Sequence, residues 1–239
     1  MQALPPVEER ASPNRDARPE GAPIDTIVLH YTGMASGAAA LARLCDPAAE
    51  VSAHYLIERD GRILRLVPED ERAWHAGRSY WAGAERLNDR SIGIELVNPG
   101  HAHGLAPFPE PQLAALMALL RAILARWPIP PARLLGHSDV AYERKLDPGE
   151  RFPWERLARA GLALWPGRAR ARPPDPAEAE RALVAIGYRP PGDAGSRQRA
   201  LAAFQRRFRP WRVDGRLDAE TMGLLEEVAV LSNGGRGSI

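Results

Sequence analysis

The sequence of 239 residues is poor in several things at once: one cysteine, one lysine, and aromatic side chains at only 6%. A single cysteine excludes an internal disulfide framework and any zinc cluster of the CxxC type, so a metal would have to be held by histidine and carboxylate. That cysteine, Cys45 in "LARLCDPA", reads as a filler of a helix face. No stretch approaches the roughly 18 consecutive apolar residues of a membrane span. The N-terminus, "MQALPPVEERASPNRDARPEGAP", has acids and prolines where a signal peptide needs a basic start and an apolar run, so no export signal is expected. Against 31 arginines stands the lone Lys145, in "GHSDVAYERKLDPGERFPW". Lysine is a compact charge on a flexible stem and arginine a planar fork, so the two are not interchangeable.

What is present fits a soluble globular chain: 45% hydrophobic and 26% charged residues, long enough for one large domain or a medium one plus a small one. The net charge of +2 is unevenly spread, with 12 basic and 5 acidic side chains in residues 168–217. Such a block could be a nucleic-acid footprint, but aromatics are sparse there and no nucleic-acid motif appears, so no nucleic-acid partner is expected.

Residues 1–23 read as a polar, proline-rich arm. "DTIVLHY" and "SIGIELV" are continuous apolar runs of the kind that form buried strands, and the second carries one acid, Glu95. "AHYLIERDGRILRLVP" is two apolar runs joined at Asp60-Gly61, a hairpin signal. Apolar residues from Leu113 to Trp127 recur at spacings of three and four, predicting an amphipathic helix closed by Pro128, and "RLLGH" predicts a short strand ending on His137. Strands alternating with helices imply an α/β fold, a central mixed β-sheet flanked by helices, over residues 24–166. After a proline- and arginine-rich linker (167–175), three helical patterns predict a small C-terminal three-helix domain (176–232), with a loose tail at 233–239.

His30 and His137 fall at strand ends, where side chains from distant sequence converge, and Asp147 follows on a loop fixed by Pro148-Gly149. Two imidazoles and a carboxylate suit three zinc ligands with the fourth position open. Glu95, its pKa raised by an apolar strand, could carry a proton, and Lys145 could steady an oxyanion. Each piece has a plainer explanation: a strand-end histidine is often merely hydrogen-bonded, Glu95 alone can pair with a buried arginine, and Asp-Pro starts turns. His54, His101 and His103 are read as structural. The joint occurrence points to a metal-assisted amide hydrolase.

The stretches "IDTIVLHYT", "VSAHYLIERDGRILRLVPEDERAWHAG", "RLNDRSIGIELVN" and "GHSDVAYERKLDPGERFPW" together resemble the zinc-dependent N-acetylmuramoyl-L-alanine amidases of the type-2 amidase and peptidoglycan-recognition superfamily, nearest the anhydromuramyl-peptide branch. That resemblance implies one catalytic Zn2+ on His30, His137 and Asp147, with Glu95 as acid/base and Lys145 at the oxyanion. It also implies substrate contacts at His75, Asn88 and Arg144. Ala53 and Asp147 stand where phage-type and animal relatives have tyrosine and cysteine, which leaves the base to Glu95. The C-terminal stretch "ALAAFQRRFRPWRVDGRLDAETMGLL" resembles a three-helix peptidoglycan-binding domain through Phe204-Gln205, Asp214-Gly215 and Asp218 to Thr221. The implied partners are peptidoglycan and muropeptides, acted on by a monomer. The alternative is a non-catalytic peptidoglycan-binding or sensing protein. A wall-binding module points to the cell envelope and the N-terminus does not, so location is left open. Asp139 is given no role.

Overall fold

The computed structural model describes residues 4–167 and 169–234. Along the chain run β1 (Val7–Glu9), β2 (Arg15–Ala17), β3 (Thr26–Tyr31), α1 (Gly37–Cys45), β4 (Tyr55–Ile57), β5 (Ile63–Arg65), β6 (Glu71–Ala73), β7 (Tyr80–Trp81) and β8 (Ala84–Glu85). They are followed by β9 (Ser91–Leu96), α2 (Glu110–Arg126), β10 (Leu134–Gly136), α3 (His137–Val140), α4 (Trp154–Arg159), α5 (Pro176–Ile186), α6 (Ala194–Phe208) and α7 (Ala219–Gly234). Six strands make the central sheet in the order β1-β5-β4-β9-β3-β10. The β4–β5 pair is antiparallel, as the Asp60-Gly61 turn requires, and the other pairs are parallel. The mixed sheet flanked by helices is thus the fold that the alternating pattern implied.

β3 and β9 are mostly apolar because both faces of the sheet are covered. Ile27, Leu29, Ile92, Ile94 and Leu96 pack with Leu116, Leu120 and Ile123 of α2 on one side. Val28 and Leu135 point the other way, onto Leu183, Tyr188 and Phe204 of the C-terminal unit. Gln112, buried on α2, donates to the carbonyls of Ile57 and Val97 and ties that helix to the strand ends.

Two expectations change. The three-helix unit forms where expected, but it does not hang from a linker: its core is continuous with one face of the sheet. The connecting chain is itself pinned, with Arg172 N–H donating to the Ala219 carbonyl and its guanidinium paired with Glu178 and Glu226. Of the expected tail, residues 233 and 234 end α7 and the rest lies outside the described residues.

The polar arm over residues 1–23 is the second change. β1 adds a parallel edge strand beside β5, and β2 pairs with β6. Polar side chains do the fastening. Ser12 donates to the Leu44 carbonyl, and Asn14 donates to those of Asp46 and Val51. Arg18 donates to the backbone carbonyls of Glu69, Asn88, Asp89 and Ser91 at 2.9–3.2 Å. A composition-based reading cannot find such a segment, because apart from Val7, which packs on the core, its anchorage is hydrogen bonding.

Replacing Arg18 with Met leaves those carbonyls without donors, each a cost of about 1 kcal/mol or more. The expected outcome is a loss of about 2–4 kcal/mol, read as a lower urea midpoint at unchanged slope. An unchanged midpoint would mean that the arm contributes nothing to stability.

Candidate metal centre and active site

In an open sheet with parallel strands, sites form beyond the carboxyl ends of the strands. His30 is the penultimate residue of β3, and the register sets it beside Glu95 of β9. Leu135 and Gly136 of β10 pair with Val28 and Leu29, so His137, one residue further on, arrives next to His30. Asp147 is brought back by a tight loop in which Ala141 N–H donates to the His137 carbonyl, Lys145 N–H to that of Ala141, and Ser138 N–H to that of Asp147. Gly136 permits this approach, since a Cβ there would lie 2.8 Å from the Pro148 ring.

The result is a buried triad. His30 Nδ1 lies 2.9 Å from His137 Nδ1, and each is 3.0 Å from Asp147 Oδ2. Two imidazole nitrogens and a carboxylate oxygen are a donor set suited to zinc. A tetrahedral zinc with ligand bonds of about 2.0–2.1 Å spaces its ligand atoms about 3.3 Å apart, close to the separations found. These are the residues the sequence singled out as ligands, and among the described residues they are the one histidine, cysteine or carboxylate group convergent enough to hold an ion.

The hydrogen bonds around the triad fix which nitrogen each imidazole presents. The Ser91 hydroxyl donates to the Leu87 carbonyl, so its oxygen accepts from His75 Nε2–H at 3.1 Å. His75 Nδ1 then accepts from His30 Nε2–H at 3.0 Å, which leaves the His30 Nδ1 lone pair on the centre. His137 Nε2–H donates to the Ala76 carbonyl at 3.2 Å and likewise presents Nδ1. Partners of this kind hold ligating imidazoles in one tautomer and orientation. Gly93 makes room for the chain of bonds, because a Cβ there would meet the His75 ring at 2.4 Å.

Burial, together with the neighbouring His137, lowers the His30 pKa to about 4. Burial opposes the charge on Asp147, but hydrogen bonds and charge from His137 and His30 outweigh it and hold that carboxyl below the ordinary range. Glu95 is the opposite case. Its Oε2 is buried with no hydrogen-bond partner, and desolvation together with the charge of Asp147 pushes its pKa up to about 8, against a weaker pull from Lys145. His30, Glu95, His137, Lys145 and Asp147 all line one cavity of about 510 Å³.

Of the three expected substrate contacts, His75 and Arg144 line that cavity and Asn88 does not. Asn88 Oδ1 accepts from the backbone N–H groups of His75 and Ala76 and so supports the segment beneath the two imidazoles. Arg144 binds the carbonyls of Ala76 and Arg78 at the rim. Two residues given no active-site role make contacts that bear on the site. His101, which also lines the cavity, bonds Tyr31 through Nδ1 and Glu150 through Nε2. Asp139 is 1% exposed and makes three hydrogen bonds. His54 is structural as read, its Nδ1 accepting from Gly93 N–H.

Fold and site together define a hydrolase: metal-type donors beside a carboxyl able to carry a proton, facing an open cavity at the carboxyl ends of parallel strands. The family model described as N-acetylmuramoyl-L-alanine amidase matches residues 20–150. The chain belongs to that family. It is 41% identical over 227 residues to the N-acetylmuramoyl-L-alanine amidase AmiD of Escherichia coli, spanning 85% of this chain and 81% of that one. To the 1,6-anhydro-N-acetylmuramyl-L-alanine amidase AmpD of Enterobacter cloacae it is 38% identical, over 61% of this chain and 85% of that one. The solved structure of E. coli AmiD superposes with a TM-score of 0.80 at 40% identity, covering 90% of this chain and 92% of its own. That of AmpDh3 from Pseudomonas aeruginosa gives 0.81 at 36% identity, covering 91% and 95%.

The pKa of Glu95 has a consequence for stability. Folded, the group stays protonated up to about pH 8, whereas in the unfolded chain it ionises near 4.5. The penalty for keeping it un-ionised is therefore absent below the lower value and grows as pH rises between the two. Metal-free Glu95→Gln should melt above metal-free wild type at pH 8, with the difference vanishing near pH 4 in thermal scans. An equal difference at both pH values would contradict the assignment.

Proposed function

We propose that this chain is a zinc-dependent amidase that hydrolyses the amide between the lactyl group of N-acetylmuramic acid, or its 1,6-anhydro form, and the L-alanine of the stem peptide. The observation that carries this reading is the meeting of His30 Nδ1, His137 Nδ1 and Asp147 Oδ2 at 2.9–3.0 Å in a family member. Two relatives support the substrate class. The AmiD structure is a complex with anhydro-N-acetylmuramic acid-L-Ala-D-γ-Glu-L-Lys, and an AmpDh3 structure contains anhydromuramic pentapeptide. Muropeptides released in wall turnover are accordingly the proposed substrates.

Zinc held by His30, His137 and Asp147 would supply a Lewis acid for the scissile carbonyl and a lowered pKa for the attacking water. Glu95, whose ionised form a bound cation would favour, takes a proton from the attacking water and delivers it to the departing L-alanine nitrogen. The Lys145 ammonium has no hydrogen-bond or ion-pair partner among the described residues, which leaves it available to the carbonyl oxygen as charge develops there. Arg144, exposed at the rim, is suited to a carboxylate of the stem peptide. His75 and Asn88 act in this reading as supports for the ligands. The C-terminal unit is the proposed peptidoglycan-holding module, which would raise the enzyme's concentration on its polymer, and the active form is proposed to be a monomer.

Incubation with anhydromuramyl tripeptide and with intact wall, followed by mass spectrometry, tests the activity. Free stem peptide should appear, vanish with a chelator and return with zinc. Binding without release under any zinc condition would favour the non-catalytic alternative. Lys145→Arg keeps a charge but places a planar fork where the ammonium sat, so kcat/KM should fall about 10²-fold with zinc content unchanged. Turnover near that of the parent protein would make the single lysine incidental.

A further inference from the structure

Two adjacent arginines of α6 reach out of the three-helix unit to either side of the segment that carries two of the proposed ligands. Arg207 Nη1 donates to Asp139 Oδ2 at 2.7 Å and Nη2 to the Leu134 carbonyl at 2.9 Å, with its guanidinium 4.2 Å over the Trp154 ring. Asp139 Oδ2 also accepts from Gly136 N–H at 2.8 Å, and Oδ1 accepts from the buried Tyr188 hydroxyl at 2.8 Å. The carboxylate and guanidinium are 1% and 4% exposed. On the far side, Arg206 Nε faces Glu150 Oε2 at 3.7 Å. Glu150 accepts from His101, whose other nitrogen meets the Tyr31 hydroxyl beside His30.

Gly136 N–H sits at the turn from β10 into α3, and His137 is the next residue. A carboxylate this deeply buried is stable only when paired and fully hydrogen-bonded, and its cation comes from α6. The acceptor that fixes the turn before His137 is thus itself held in place by the three-helix unit. Arg207 also grips Leu134, so both ends of β10 are set from the same guanidinium.

We propose that Arg207, acting through Asp139, is a positioning residue for His137, and that the C-terminal unit is a structural part of the metal centre as well as any polymer anchor. The proposal rests on the reading of His137 as a ligand. Outer partners of metal ligands commonly account for about 10–100-fold in affinity or activity.

The test uses the full chain carrying Arg207→Met, with Arg207→Lys as the conservative variant. Zinc affinity is read by chelator competition, the Gly136 amide by hydrogen exchange in the zinc-free protein, and kcat and KM on soluble anhydromuramyl tripeptide. In a cooperatively folded Arg207→Met, zinc binding should weaken by about 10-fold or more and Gly136 exchange should accelerate. kcat should fall while KM stays within about twofold, because Arg207 touches no substrate. Arg207→Lys should recover part of the zinc affinity. A folded Arg207→Met with parental zinc affinity and parental Gly136 exchange overturns the proposal. If that variant does not fold, Asp139→Asn with Arg207→Met removes the unpaired buried charge while keeping an acceptor for Gly136, and the same two readouts decide. If the parent chain bound no zinc, the metal reading would fall, and Gly136 exchange, which needs no metal, would still decide for or against the clasp.

Discussion

Three lone-pair donors held within about 3 Å of one another, out of water, are the constraint on which the rest of the structure depends. His30 lies more than a hundred residues before His137 and Asp147; the parallel register of β3 and β10 brings the two imidazoles together, and the loop after α3 returns Asp147 to them. Each imidazole has its outward nitrogen committed, one through His75 and Ser91 to the Leu87 carbonyl, the other to Ala76. Each commitment is supported in turn: Asn88 holds the backbone of residues 75 and 76, and Gly93 leaves space for the His75 ring. The glycine in "SIGIELV" and the asparagine in "RLND" are thus explained by the imidazoles they serve.

Glu95 obeys the opposite rule. Where the triad is surrounded by partners, its Oε2 has none. An unpaired buried carboxyl is destabilising, and perturbed acids of this kind gather at sites where a proton must be moved. The same strand that supplies the apolar surroundings also sets its register beside His30, so the raised pKa and the location have one cause.

Much of this was legible in the sequence, and the limits have physical reasons. Continuous apolar runs reported β3 and β9, three-and-four spacing reported α2, and Asp-Gly reported the β4–β5 turn, because each depends on local pattern. The residues of the triad could be picked out because histidines at strand ends are few and Asp147 follows His137 on a short Pro-Gly loop. What hydrogen bonding alone determines was hidden. The arm at residues 7–18 carries no apolar signal, since Ser12, Asn14 and Arg18 fasten it to carbonyls. Asp139 looked idle because its cation, Arg207, lies 68 residues away. The C-terminal motif was readable for a structural reason: Gln205 accepts from Asp214 and Gly215 and donates to Arg216 and Thr221, so those residues build the unit itself. What a linker-like composition could not reveal is that this unit shares a core with the sheet.

The central claim is that His30, His137 and Asp147 form one metal centre built by the sheet and its supports. X-ray absorption at the zinc edge of the stoichiometrically loaded protein tests it most directly. The account predicts a four-coordinate shell of two histidine nitrogens and two oxygens, with no sulfur, since Cys45 lies on α1 and is no member of the triad. A sulfur ligand, a single imidazole, or a six-oxygen shell would contradict it.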